Sequence, residues 1–226
     1  MNYRLLLAGL GLILLVAACA PEPQLLNENY LNDTSFITGE PCGPPCWRDI
    51  VPGETSWQDA RTNIEDDPTL DNWQQRADED SERIGAAWEQ ADGDLCCQMF
   101  STQDGETVEL ILLQTAPQET LQAVLDEHGD PSYLIGETVT EDQGIVTLFF
   151  ENIPMIIYTF VAGETGSINA ESPVIGFAYL TDDLMQELIE TSELHTWEGF
   201  GTYSEYMDSE FEVLPESTPE EDGEDE

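Results

Sequence analysis

The chain of 226 residues contains no lysine, only five arginines and two histidines, against 48 acids, for a formal net charge of −43. Nucleic-acid binding requires a basic footprint, and that is missing. Phosphate-rich ligands and attraction to anionic lipid headgroups are disfavoured for the same reason. Long apolar runs are equally scarce. The single example extends from Leu5 to Ala18, interrupted only by Gly9 and Gly11, and its 14 residues fall short of the roughly 20 that a spanning helix needs. Catalytic signatures are absent too. There is no Gly-x-Ser-x-Gly, no His-Glu-x-x-His and no phosphate-cradling glycine loop.

What is present at the N-terminus has the layout of an export signal: Arg4, an apolar core, then small residues. The run ends in Val16-Ala17-Ala18-Cys19, which resembles the lipobox of bacterial lipoproteins. That resemblance implies cleavage after Ala18 and a lipid on the Cys19 thiol, with palmitate-type acyl chains holding the mature protein on the extracytoplasmic face of a membrane. Buried methylenes contribute about 0.8 kcal/mol each, so two or three chains hold firmly where a single one does not. Ala20 follows the cysteine, and the n-region carries one base.

Four cysteines remain: Cys42, Cys46, Cys96 and Cys97. An even number in an exported chain reads as disulfides. Three connectivities are open, and at least one long-range bond from the 42–46 loop to the 96–97 strand is the favoured one. A four-thiolate zinc site lacks the usual paired two-residue spacers. Cys42-Gly-Pro-Pro-Cys46 has three intervening residues where a thioredoxin-like site has two. No cofactor or metal is expected.

Composition divides the chain into a signal over 1–18, a polar linker over 19–39, a first α+β unit over 40–114, a second over 115–210 and an acidic tail over 211–226. Thr55-x-x-Gln58 has the form of a capping box, followed by Trp57, Ala60 and Ile64 at helical spacing, and Asp67-Pro68 stops that helix. The polar stretch 68–82 reads as loop or short helix. Strands are expected over 83–90, 95–101 and 106–114, with Glu106, Val108, Leu110 and Leu112 on one face of the last. A second helix runs over 117–128 and ends at Gly129, with Pro131 beyond. Strands over 132–140, 144–151, 154–162 and 173–180 follow, then a helix over 182–191 behind Thr181. The aromatic segment Trp197 to Tyr203 should fold back on the body.

The expected fold class is therefore α+β, with antiparallel sheet and helices on one face, arranged as two tandem helix-plus-meander units. The stretch Gln118 to Tyr133, a helix ending in Gly-Asp-Pro and running into strands, resembles the SmpA/OmlA family of small outer-membrane lipoproteins. Tandem copies resemble β-lactamase inhibitory protein. Both likenesses imply a binding or scaffold module with an unidentified protein or envelope-polymer partner.

Two enzyme readings stand beside this one: a secreted hydrolase using a carboxylate pair, and a thiol redox protein using Cys42 and Cys46. His128 sits where a helix dipole favours imidazolium, and His195 lies in a loop. The acidic clusters at 65–67, 78–80 and 92–94 lack the alternating ligand spacing of a calcium loop. Trp47, Trp57, Trp73, Trp88 and Trp197 are candidates for a groove, although Trp57 and Trp88 sit in core-like patterns.

Self-repulsion of this size opposes a compact state, and salt relieves it, since the Debye length shrinks to about 3 Å at 1 M. The unfolding midpoint should therefore rise across a sodium chloride series. A flat or falling series would refute adaptation of the chain to a saline exterior.

Overall fold

Strand-forming residues dominate the described chain, which comprises residues 25–77, 83–162, 166–202 and 206 of a computed structural model. Four helices precede or follow the strands: α1 Ser35–Thr38, α2 Trp57–Glu65, α3 Leu121–His128 and α4 Asp182–Thr191. The strands are β1 Leu70–Ala77, β2 Ile84–Gln90, β3 Leu95–Ser101, β4 Val108–Gln114, β5 Tyr133–Thr140, β6 Gln143–Phe150, β7 Met155–Val161, β8 Val174–Leu180 and β9 His195–Thr196. They form one sheet of nine in the order β1-β2-β3-β4-β8-β7-β6-β5-β9, with every neighbouring pair antiparallel. This is the expected α+β class in its coarse form, with strands outweighing helices.

Strand β8, Val174-Ile-Gly-Phe-Ala-Tyr-Leu180, is buried at all seven positions. Both its faces are therefore covered, as its unbroken apolar run requires. Its pairing with β4 runs from Leu110 opposite Leu180 to Gln114 opposite Gly176. A Cβ on Gly176 would lie 2.7 Å from the Leu113 carbonyl oxygen, so glycine permits this close approach.

Helices α2 and α3 are fixed to the sheet in the same way. Ser56 caps α2 through its side chain, Trp57 N donates to Glu106 O, and Val108 N donates to Thr55 O. Thr120 caps α3, Leu121 N donates to Ser172 O, and Val174 N donates to Glu119 O. Each cap satisfies a first-turn amide that the helix itself leaves unpaired.

The faces of the sheet carry two separate apolar clusters. The first takes Ile111, Leu113, Phe177 and Tyr179 from the central strands, with Phe36 of α1, Trp57 and Ile64 of α2, and Leu121 and Val124 of α3. The second takes Ala178 and Leu180, the alternate residues of β8, with Met185, Leu184 and Leu188 of α4. Helix α4 thus packs on the face opposite the other three, so the helices are not gathered on one side. Its short connection from the end of β8, through the Thr181 cap, turns it onto that surface.

Three further expectations change. Residues 70–77 form an edge strand, not a loop or helix. Only Leu70 is buried there, so no alternating apolar pattern marks it. In β4, Val108 belongs to the first cluster while Leu110 and Leu112 line the second. A register shift opposite Phe100 and Ser101 changes the phase of the strand. Lastly, the stretch expected as linker is packed from Leu25 onward. Leu25 N donates to Gln143 Oε1, Leu31 is fully buried and exchanges backbone hydrogen bonds with Gln114 and Ala116, and Phe36 is buried. The acidic tail 211–226 lies outside the described residues.

Gly176→Ala should lower stability by about 1–3 kcal/mol, the usual cost of forcing atoms into a filled interior. Urea unfolding would measure it, and an unchanged midpoint would show that β4 and β8 do not approach this closely.

Candidate functional site

A sheet with one face packed and the other only partly covered offers its second face to a ligand. Here that face is built by register. One row crosses Ala87, Gln98, Leu112, Ala178, Ile156 and Phe149, each opposite the next. Helix α4 covers the part around Ala178, Ile156 and Phe149. Toward β2 and β3 no helix among the described residues covers the row. There Phe100 lies against Gly85, Leu95 is 47% exposed, and a shallow cavity of about 370 Å³ opens between Gln74, Arg76, Leu95 and Phe100. A smaller apolar hollow of about 180 Å³ is bordered by Leu25, Tyr30, Leu112, Ile145 and Tyr158. Burial pushes the Tyr158 phenol up to about 12, so it remains a neutral donor at ordinary pH.

The tryptophans expected as groove residues mostly lie on the other, packed face. Trp47, Trp88, Trp73 and Trp57 form a continuous chain of ring contacts, with centroids 5.9, 5.6 and 6.2 Å apart. Trp47 and Trp88 are fully buried and Trp57 nearly so. Trp47 Nε1 donates to Asp33 and Trp57 Nε1 to Gln75. Arg48 stacks over Trp47 at 4.9 Å and pairs with Asp67. Trp197 stands apart, half-buried beside the exposed Phe200.

The four cysteines form two local disulfides, Cys42–Cys46 and Cys96–Cys97. The favoured long-range bond does not form. The N-terminal segment docks on the sheet through Trp47 against Trp88, with no sulfur involved in that contact. Cys96 is the extra residue in a bulge where Trp88 pairs with Cys97 and Glu89 with Leu95, which lets two adjacent side chains turn toward each other. Cys96 and Cys97 are buried, whereas Cys42 and Cys46 are half-buried. Among the described residues, Cys42, Cys46 and Asp49 are the one group of three ligand-type side chains close enough to hold a metal, and its two sulfurs are bonded to each other.

A hydrolase acid must keep its proton, which requires a raised pKa. The carboxylates with a resolved shift move the other way. Burial works against the charge on Asp67, but the hydroxyl and amide of Thr69, together with Arg48, hold it below the usual range. Arg61 lowers Glu65, and Thr102 with the Glu106 amide lowers Asp104. Of the acidic clusters, 65–67 is thus partly neutralised, Asp94 accepts from Asn27, and 78–80 lies outside the described residues. The His128 Nε2 donates to the Phe36 carbonyl and its ring meets Phe150 edge-on, so it ties α3 to α1. His195 lies in β9 against Tyr206. Cys19 lies outside the described residues, and no helix among those described is long and apolar enough to cross a membrane.

Compared with protein-family models, with characterised proteins and with solved structures, the chain matches none.

Peptide mapping of unreduced protein should return Cys42–Cys46 within one peptide and Cys96–Cys97 within another. A peptide joining either member of the first pair to either member of the second would overturn this pairing.

Proposed function

We propose that the chain is a lipid-anchored envelope lipoprotein whose folded body is a non-catalytic binding or structural module. The anchor reading rests on Val16-Ala17-Ala18-Cys19 and on cysteine parity. The other four cysteines pair among themselves, so Cys19 keeps a thiol for lipid. With −43 charge and no lysine, the protein has little else to hold it at an anionic surface.

The body is read as two tandem copies of a helix followed by a four-stranded meander. The matching of the two halves supports this. After α2 the chain runs Asp66-Asp-Pro-Thr69 into β1, and after α3 it runs Gly129-Asp-Pro-Ser132 into β5. Ser56 bridges Thr107 just before β4, and Thr120 bridges Pro173 just before β8. The two fourth strands then pair at the centre. A duplicated meander makes a broad sheet face, and the partly uncovered row of Ala87, Gln98 and Leu112, with Phe100 beside it, is the surface assigned to a partner. The depressed carboxylates favour this reading over the hydrolase.

Cys19→Ser should leave an uncleaved precursor or release the protein from the membrane fraction. Normal processing to a membrane-bound form would sink the anchor assignment, whatever the body binds.

A further inference from the structure

Beside β5, away from the sheet face just described, Trp197 and Phe200 make a corner. Their ring centroids are 5.9 Å apart and their planes cross at 84°. Phe200 is 46% exposed, one of three large apolar side chains left in solvent among the described residues. The loop that carries it is held in place. Trp197 N donates to Ser132 O, Ile168 N to Gly201 O, and the Tyr206 hydroxyl to Gly199 O, while Ser167 bridges Thr202. Trp197 is also seated against the first apolar cluster. The exposed phenyl is thus presented by a fixed backbone, which lowers the ordering cost of any ligand it meets.

The corner borders an open cleft of about 570 Å³ whose other walls carry Gln122, Asp126, Asp130 and Glu198. No arginine lines it, and the sequence has neither lysine nor arginine after Arg83. An aromatic ring face presents negative π-density, and the nearby carboxylates add a field of the same sign. A cation is stabilised by both, an anion by neither. The rings favour a cation with an apolar shell, since a strongly hydrated metal ion would lose water without gaining oxygen ligands from them.

We propose that this cleft binds a small organic cation bearing a methylated ammonium group. The ammonium sits in the angle between Trp197 and Phe200, with Asp130 and Glu198 supplying charge at the rim and Gln122, held by its hydrogen bond to Asp126, offering its carbonyl oxygen to a polar substituent. A phosphate attached to the same cation is repelled by the carboxylates, which separates a free ammonium compound from a phosphocholine lipid headgroup. The proposal deepens the reading of the body as a binding module and is independent of the anchor.

The test is calorimetric titration of the full chain, kept in a non-ionic detergent, with choline and with its uncharged isostere 3,3-dimethylbutan-1-ol. Choline should bind at least about tenfold more tightly than the isostere. Phe200→Ala, at an exposed position, should weaken choline by roughly fivefold, and Asp130→Asn with Glu198→Gln by a comparable factor without changing the isostere. Equal binding of the two, no binding of choline, phosphocholine binding more tightly than choline, or preference for a neutral sugar such as N-acetylglucosamine would each overturn the assignment. Failure here leaves membrane anchoring through Cys19 untouched, and release of the Cys19→Ser protein with choline binding intact would remove the anchor alone.

Discussion

The antiparallel contact between β4 and β8 is the constraint on which the rest of the molecule depends. These strands come from opposite halves of the sequence, yet they meet closely enough to require Gly176 under the Leu113 carbonyl. Burying β8 on both sides demands an apolar layer above and another below. The first comes from α1, α2 and α3 with the N-terminal segment, the second from α4. Hydrophobic burial of this kind is proportional to area and has no directional preference. Direction is supplied by the ladder of hydrogen bonds, which sends β3, β2 and β1 outward on one side and β7, β6 and β5 on the other.

The heavy excess of acids sits outside that frame. Three of the five arginines are spent locally: Arg48 joins Asp33 and Asp67, Arg61 joins Glu65, and Arg83 joins Glu109. Such partly exposed pairs contribute little individually. They do place positive charge in the first half of the chain, and the second half is left with none. Cohesion there rests on the sheet, the caps at Thr120 and Thr181, and aromatic packing such as Phe36 on Phe177.

Much of this frame was legible in the residues. Helices α2, α3 and α4 announced themselves by caps and spacing, and seven of the strands, β2 to β8, by apolar runs bounded by turns. Strand β1 was hidden because an edge strand with one buried side chain has no period to detect. The side taken by α4 was hidden as well, since an amphipathic helix records that it packs but not on which surface. In β4 a bulge across the ladder, invisible in the strand's own letters, reversed the face of Leu110 and Leu112. The sulfur pairing depended on a bulge too. The aromatic character of 197–203 was plain, but its acidic walls come from α3 and the turn before β5, far away in sequence. Juxtapositions of that kind emerge only once the chain has folded.

The bond from Leu25 N to Gln143 Oε1 ties the first of the described residues to the turn between β5 and β6. Cys19 lies six residues earlier, a span that reaches about 20 Å at full extension. A lipidated Cys19 would therefore act as a short leash on the end of the sheet where β5 turns into β6. The leash would set an orientation as well as an address. The Trp197 corner, near the start of β5, lies about one strand length, roughly 23 Å, from that end of the sheet. Small solutes would reach it from the aqueous side, without competing for space at the headgroups.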